Sequence, residues 1–524
     1  MNPTTKKRIR MMALCVAVIM TVSLLAACSS GSNGGSGKNG GSGSANTPAS
    51  EAGGNNEGAE QPPFEITMMV TQHTAEVPSN IIPERIEAKT NTKIKFQWVP
   101  DGSYEEKLNA SFATGSLPMV VYAKNTDFAK DAIRADQFWE IGPLLAQYDN
   151  LSKLNPDVLR NTAVDGKIYT LYLERPLSRQ GVIYRKDWAD NLGLEAPQTT
   201  DDLKEMIRAF TEDDPDGNGQ PDTIGLTDRS DLIYGAFKTV SSYFGTPNYW
   251  SVDDSGNFQP EFMHEAYMDT LNFFRDIHSK GYMNQDFPVT SKTDQIDLLV
   301  NGKAGVYIGS LPDVLTLSNQ LADMNPDAEL TVANGIEGPR GKGIWAIPGY
   351  GSVVLFPKSA VKTEDELHRI LAFYDELMSA ESANLLNWGI EGEHYEIKDG
   401  LANKTVDQVT DNTHVKPHNA WAVGGPETID GMLKGYFELP ARALAEELVE
   451  ANNDMLIHDP SAPLDSPTYI ERGSALQQII TDATYQYVLA NIDQAGFEKA
   501  IERWRVEGGD QMIQEYSEAY QAIQ

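Results

Sequence analysis

Cysteine is nearly missing from this chain: its 524 residues include 2, Cys15 and Cys28. Cys15 lies in an apolar leader-like run that processing would remove, so no disulfide framework can be drawn. Positive charge is scarce as well. Lys and Arg number 42 against 75 Asp and Glu, giving a formal net charge of −33. Such a field repels nucleic acid and anionic lipid head groups and leaves neutral or cationic ligands as partners, while also serving solubility. Long apolar runs are absent beyond Met11 to Ala27, which is too short to span a bilayer comfortably.

Catalytic and nucleotide signatures are missing too. There is no Gly-x-Ser-x-Gly and no His-Glu-x-x-His. Ser359-Ala360-Val361-Lys362 matches Ser-x-x-Lys, but the partner motifs Ser-Asp-Asn and Lys-Thr-Gly do not occur. Gly37-Lys38 suggests a phosphate loop until Ser32 and Asn39 break the pattern. His414 and His418 are four apart, and Pro417 between them argues against a helix presenting both to zinc. Glu391 and Glu393 stand two apart in a Gly-containing loop, which gives no control over the separation that glycosidase chemistry needs.

What is present begins with Lys6, Lys7, Arg8 and Arg10 ahead of that apolar run, the arrangement of a secretion signal over residues 1–27. The run ends in Leu25-Ala26-Ala27-Cys28, which resembles the bacterial lipobox, whose thiol accepts diacylglycerol. Residues 28–63 then form a tract of Gly, Ser and Asn without apolar periodicity. It reads as a tether with a reach of roughly 30 Å. The remainder is too long for one core, so two lobes are expected.

Within it, apolar runs alternate with amphipathic helical stripes, as in an α/β fold with parallel sheets. Strands are expected at Phe64 to Val70, Lys93 to Trp98, Met119 to Tyr122, Gly305 to Ile308 and Ser352 to Phe356. Thr199-Thr200 supply N-cap chemistry for a helix carrying Leu203, Met206, Ile207 and Phe210 on one face. A second stripe, Tyr267, Leu271, Phe274 and Ile277, ends before Gly281, and a further helix is expected from Glu364 to Met378. The segment Asp214-Pro215-Asp216-Gly217-Asn218-Gly219-Gln220-Pro221-Asp222 fits the front of a calcium loop. Asp214, Asp216, Asn218, the Gln220 carbonyl and Asp222 would be oxygen ligands for a structural calcium ion. The twelfth position, a bidentate Glu in a full EF-hand, is Gly225.

Val164-Asp165-Gly166-Lys167-Ile168-Tyr169, then Val182 to Trp188, then Leu192-Gly193-Leu194, the acidic loop and finally Gly389 to Tyr395 follow one another in an order that resembles extracellular solute-binding protein family 1. The likeness is to the long sugar-binding lipoproteins of Gram-positive bacteria and covers almost all of the chain after the tether. One departure is Thr223, where relatives often carry an acidic residue. The resemblance implies a two-lobed, type II periplasmic-binding-protein-like α/β fold with the ligand cleft between lobes. Lobe 1 would take residues 64–175 and 339–400, lobe 2 residues 176–338 and 401–524. It implies a monomeric, non-enzymatic receptor, lipid-anchored at the extracellular face, that hands a carbohydrate to the permease subunits of an ABC importer.

Sugar recognition needs aromatic faces for pyranose C–H groups and polar groups for hydroxyls. Trp139, Tyr172, Tyr249, Trp250, Trp345, Trp388 and Trp421 are the aromatic candidates, each competing with a core role. Trp388 stands out because it precedes the Gly389 to Tyr395 segment. Arg179, Glu391 and His394 are polar candidates. The alternative from another class is a surface-anchored carbohydrate-active hydrolase; an adhesin would be richer in β-strands.

Overall fold

The computed structural model describes residues 62–523. The leader, Cys28 and the tether up to residue 61 lie outside the described residues. Two sheets organise the chain. The first has five strands in the order Thr92–Pro100, Phe64–Gln72, Val120–Ala123, Tyr350–Leu355, Leu171–Glu174. The second has four, in the order Leu330–Ala333, Gln180–Arg185, Ala304–Ser310, Ile224–Thr227.

Neither sheet is purely parallel, a departure from the sequence expectation. Phe64–Gln72 runs parallel to both its neighbours, but Tyr350–Leu355 is antiparallel to Val120–Ala123 and to Leu171–Glu174. Its direction follows from its origin: the chain re-enters this sheet from the other one, not through a local β-α-β crossover.

Each sheet is sandwiched by helices whose sequence pattern explains their placement. Helix Thr200–Glu212 starts at a capping box in which Thr199 accepts from the Asp202 amide and Asp202 accepts from the Thr199 amide. Its buried face is Leu203, Met206, Ile207 and Phe210, the 3.6-residue stripe seen in the sequence. That face lies so close to the second sheet that a Cβ on Gly305 would fall 2.2 Å from the Phe210 ring and 2.8 Å from Trp188. Helix Glu265–Ser279 buries Tyr267, Leu271, Phe274 and Ile277, and Gly281 just beyond it takes φ +74°.

Alternation along Gln180–Arg185 feeds two cores. Val182 and Tyr184 join a large aromatic core with Phe237, Phe274, Trp345 and Trp504, while Ile183 faces the opposite cluster with Tyr307, Leu317 and helix Pro440–Ala451. The first sheet has its own core, built from Ile66, Val121, Tyr172, Val354, Leu371 and also Trp421, Val423 and Ile429.

Three chain segments cross between the sheets and are stitched together. The first is residues 175–179, leading from Leu171–Glu174 straight into Gln180–Arg185. The second leads from Ile344–Trp345 into Tyr350–Leu355, and it bonds to the first through Arg175 N–H to the Gly349 carbonyl (2.9 Å) and Ile347 N–H to the Leu177 carbonyl (2.7 Å). The third follows Ile429 toward helix Pro440–Ala451. Before it leaves, Glu174 accepts from the Glu427 amide (2.9 Å) and the Thr428 hydroxyl (2.6 Å). Beyond that helix, Asn452 donates to the Ser178 and Gln180 carbonyls.

Candidate functional site

A concavity shows itself in groups that solvent can reach although protein surrounds them. Arg175 is exposed, yet burial, followed by the charge of Arg179, pulls its guanidinium below the ordinary range. Asp459 is only half-buried by area, yet burial pushes its carboxyl up to about 6 against the lowering effect of Ser461, which donates to it from both backbone and hydroxyl. Tyr350 is pushed up to about 12 by burial and Tyr249 is pushed up likewise, though both keep accessible area. Arg175 and Tyr350 belong to the first sheet's side of the crossings, Tyr249 and Asp459 to the second. The four are the candidates for the walls of the seam between the sheets.

Aromatic side chains crowd the second wall. Trp345 is buried, donates its indole N–H to the Thr239 hydroxyl (3.1 Å), and meets Tyr234 edge-on at 5.7 Å. Tyr234 and Tyr469 are 52% and 57% exposed, an unusual state for large aromatics. Tyr249 holds φ +59°, a left-handed backbone costly for a bulky residue. It is held there by Glu261, which accepts from its amide (3.1 Å), and by Lys238, whose ammonium sits 3.9 Å from its ring centre. Lys238 and Glu261 are themselves a buried ion pair. Asn248 ties this loop to the second crossing by donating to the Ala346 (2.7 Å) and Ile457 (3.1 Å) carbonyls.

Of the residues proposed from sequence, Tyr249 and Trp345 lie beside the second crossing and Arg179 lies on the first. Trp250 is 8% exposed and packs inward on Tyr516 and Phe258. Trp388, Glu391 and His394 gather elsewhere, on the first core's side. Trp388 donates to the Leu433 carbonyl (2.9 Å), the backbone of exposed Glu391 bridges Tyr395, and buried His394 meets His414 at 3.2 Å. Tyr172 and Trp421 are core, and Trp139 packs against that core with its N–H on the Val361 carbonyl. Cys28 lies outside the described residues. Sequence reading missed Arg175, Tyr234, Asp459 and Tyr469; the signal available for Arg175 was its spacing from Arg179 across an uncharged stretch at the end of an apolar strand.

The calcium expectation is corrected. Among the described residues no group of three or more His, Cys, Asp and Glu side chains is gathered as a metal site. In the loop, Asp214 accepts from the Asn218 and Gly219 amides, and Gln220 N–H donates to Asn218. The Asn218 side-chain amide donates within the loop, to Asp216 (2.8 Å) and Asp222 (3.2 Å). The other Asp222 oxygen takes Lys303 at 2.8 Å, which holds that carboxyl below its usual range together with Asn218. Amide and ammonium hydrogens therefore occupy the oxygens that a cation would need, and the loop is a self-capped turn.

Two α/β lobes, three crossings and a polar, aromatic seam between them define a two-lobed ligand-binding receptor. The model of the bacterial extracellular solute-binding proteins matches residues 74–384, and the chain belongs to that family. It is 43% identical over 463 residues, 87% of this chain and 91% of the relative, to the polygalacturonan/rhamnogalacturonan-binding protein YtcQ of Bacillus subtilis. To lipoprotein LipO of the same species it is 33% identical, over 87% of this chain and 92% of the relative. An HMO-binding, ABC-transporter-associated solute-binding protein of Bifidobacterium longum infantis superposes with a TM-score of 0.68 at 17% identity, covering 88% of this chain and 99% of that one. The protein is accordingly an extracellular solute-binding protein and not an enzyme.

Proposed function

We propose that the protein captures an oligosaccharide in the seam between its lobes and delivers it to the permease of an ABC importer. The observation that carries this reading is the pair of exposed tyrosines on the second wall, Tyr234, which rests edge-on against buried Trp345, and Tyr469, with half-buried Tyr249 beside the polar Lys238, Glu261 and Asp459. Exposed aromatic faces take pyranose C–H groups, and fixed charged groups take hydroxyls. The polysaccharide in the name of the relative YtcQ supports the same class. Lobe 1 would be residues 64–175 with a returning segment, as expected from sequence, but core membership of Trp421, Val423 and Ile429 favours extending that segment through Ile429. Diacylglycerol on Cys28 would hold the protein at the membrane.

The test is a calorimetric titration with neutral and acidic oligosaccharides, followed by recovery of the ligand. One class should bind saturably and come back intact. Tyr234→Ala and Tyr469→Ala should each weaken it by about 1–2 kcal/mol, the worth of a lost stacking surface. Turnover of the sugar that copurifies with the protein, or no effect of either substitution, overturns the reading.

A further inference from the structure

We infer that Arg229 is a positioning residue for sugar binding: it fixes the turn that presents Tyr234, so that this exposed ring meets a pyranose as a rigid surface. The inference rests on the carbohydrate reading above and adds the residue that sets the worth of one contact. Its first support is where the guanidinium is spent. Arg229 is buried, two residues beyond strand Ile224–Thr227. Burying a guanidinium is costly unless its N–H groups find acceptors. One of its terminal nitrogens donates to the Tyr234 carbonyl and lies 3.5 Å from the Asp231 carboxylate, and the other donates to the Gln295 side chain (3.4 Å). Gln295, on helix Lys292–Val300, is fully buried and tied to the strand: its side-chain amide donates to the Thr227 carbonyl (3.1 Å), and its backbone carbonyl accepts from the Thr227 hydroxyl (3.1 Å). Arg229 thus joins a fixed point of the second lobe to the backbone of the exposed tyrosine.

The second support is the turn itself. The Asp231 carboxylate accepts from the Ile233 and Tyr234 amides (both 3.0 Å), and the Asp231 carbonyl accepts from the Gly235 amide (2.7 Å). Asp228, buried, accepts from the Ala236 amide (2.9 Å) at the start of helix Ala236–Tyr243, and Ser230 N–H donates to the Thr290 carbonyl (3.0 Å). The chain folds back so tightly that a Cβ on Gly235 would fall 2.3 Å from the Asp231 carbonyl oxygen and 2.7 Å from an Asp228 carboxylate oxygen. These bonds hold backbone. The Tyr234 ring is left to rest edge-on against Trp345 at 5.7 Å, whose indole N–H is itself held by the buried Thr239 hydroxyl.

The third support is thermodynamic. A loop or side chain that must be ordered as the sugar arrives gives up part of the contact's worth as lost entropy, and one ordered beforehand does not. Tyrosine turns about only two side-chain bonds. With its backbone fixed by Arg229 and Asp231 and its ring edge against Trp345, little freedom is left for binding to remove. A network of this kind behind a contact residue sets affinity without touching the ligand.

The experiment compares the full-length protein in detergent with Arg229→Met and Arg229→Lys, each made with Tyr234 kept and with Tyr234→Ala. Without any sugar, the amides of Ile233, Tyr234, Gly235 and Ala236 should exchange hydrogen about tenfold faster in Arg229→Met, while strand Ala304–Ser310 of the same sheet exchanges as in wild type. Calorimetric titration then uses trigalacturonate and maltotriose, an acidic and a neutral probe. With Tyr234 kept, Arg229→Met should weaken whichever trisaccharide binds by about fivefold; in the Tyr234→Ala background the same change should cost less than about twofold. A general loss of structure would cost the same in both backgrounds. Should melting curves show Arg229→Met unfolded, Arg229→Lys carries the comparison, because one ammonium cannot span the Tyr234 carbonyl and Gln295 together. Unchanged exchange at the turn, or equal affinity losses in both backgrounds, overturns the positioning role and leaves the carbohydrate reading intact. Wild-type affinity in Tyr234→Ala alone overturns it as well. Binding of neither trisaccharide overturns both readings.

Discussion

His418 shows how one side chain can couple stability to pH. It is completely buried; its Nδ1 accepts the Trp421 indole N–H (3.1 Å) and its Nε2–H donates to the Ser79 carbonyl (3.0 Å). A proton on Nδ1 would face another donor. Burial, joined by nearby His414, lowers its pKa to about 4, although Ser79 works the other way. The unfolded imidazole titrates near 6.5, so below that pH the unfolded state binds a proton that the folded state refuses. The stability contribution is complete above about pH 6.5 and is lost as the pH falls toward 4, by roughly 3 kcal/mol in all. Asp228, raised to about 7 by burial, works in the opposite direction, so the effect must be isolated by difference. Urea unfolding of wild type and His418→Gln at pH 7 and pH 4.5 should show the wild type losing more stability than the variant. Parallel losses would mean that His418 is not the titrating group.

At the level of elements, the local code was readable and the long-range one was not. The Thr200–Glu212 helix matches its stripe residue for residue because cap and periodicity are both local. Thr199→Ala should therefore cost about 1 kcal/mol of unfolding free energy, read from the denaturant midpoint, with Thr199→Ser close to wild type. Strands Phe64–Gln72, Thr92–Pro100 and Ala304–Ser310 were legible for the same reason, as apolar runs between turn signals. The acidic loop shows the limit. Its spacing invites an ion, but the group that neutralises Asp222 is Lys303, 81 residues further on, and no local pattern announces it. Likewise Trp388 drew attention by its neighbours in sequence, while Tyr234 and Tyr469 reach the seam wall through folds of the chain that bring distant loops beside Tyr249 and Trp345.

At the level of the molecule, one ion-pair cluster spans the lobes. Asp465 precedes helix Pro467–Val488 of the second core, and it bonds Lys130 (2.6 Å) and Arg134 (2.5 Å), whose helix packs Ile133 into the first. Burial works to raise the Asp465 carboxyl, but Arg134 and Lys130 outweigh it and hold it below the usual range. The bridge therefore favours lobe contact above the ordinary carboxylate pKa and lets go as the pH drops through and below about 4. Because these groups are partly exposed, its worth is discounted to about 1 kcal/mol, near fivefold in an open–closed equilibrium. Asp465→Asn should enlarge the ligand-free radius of gyration in small-angle scattering at pH 7 and weaken ligand binding a few-fold. An unchanged radius and affinity would show that the cluster is no latch.

The position of strand Tyr350–Leu355, between Val120–Ala123 and Leu171–Glu174, has a consequence in time. The first lobe cannot close its sheet until some 350 residues have been made, and its core waits further for Trp421, while the second lobe waits for helix Pro467–Val488 and Trp504. The strand that joins the two parts of the first sheet, and the last core residues of both lobes, thus arrive late in synthesis, so neither core is complete until near the end of the chain. A protein that must thread an export channel before it folds gains from that delay: the last part of the chain completes both lobes at once, on the far side of the membrane.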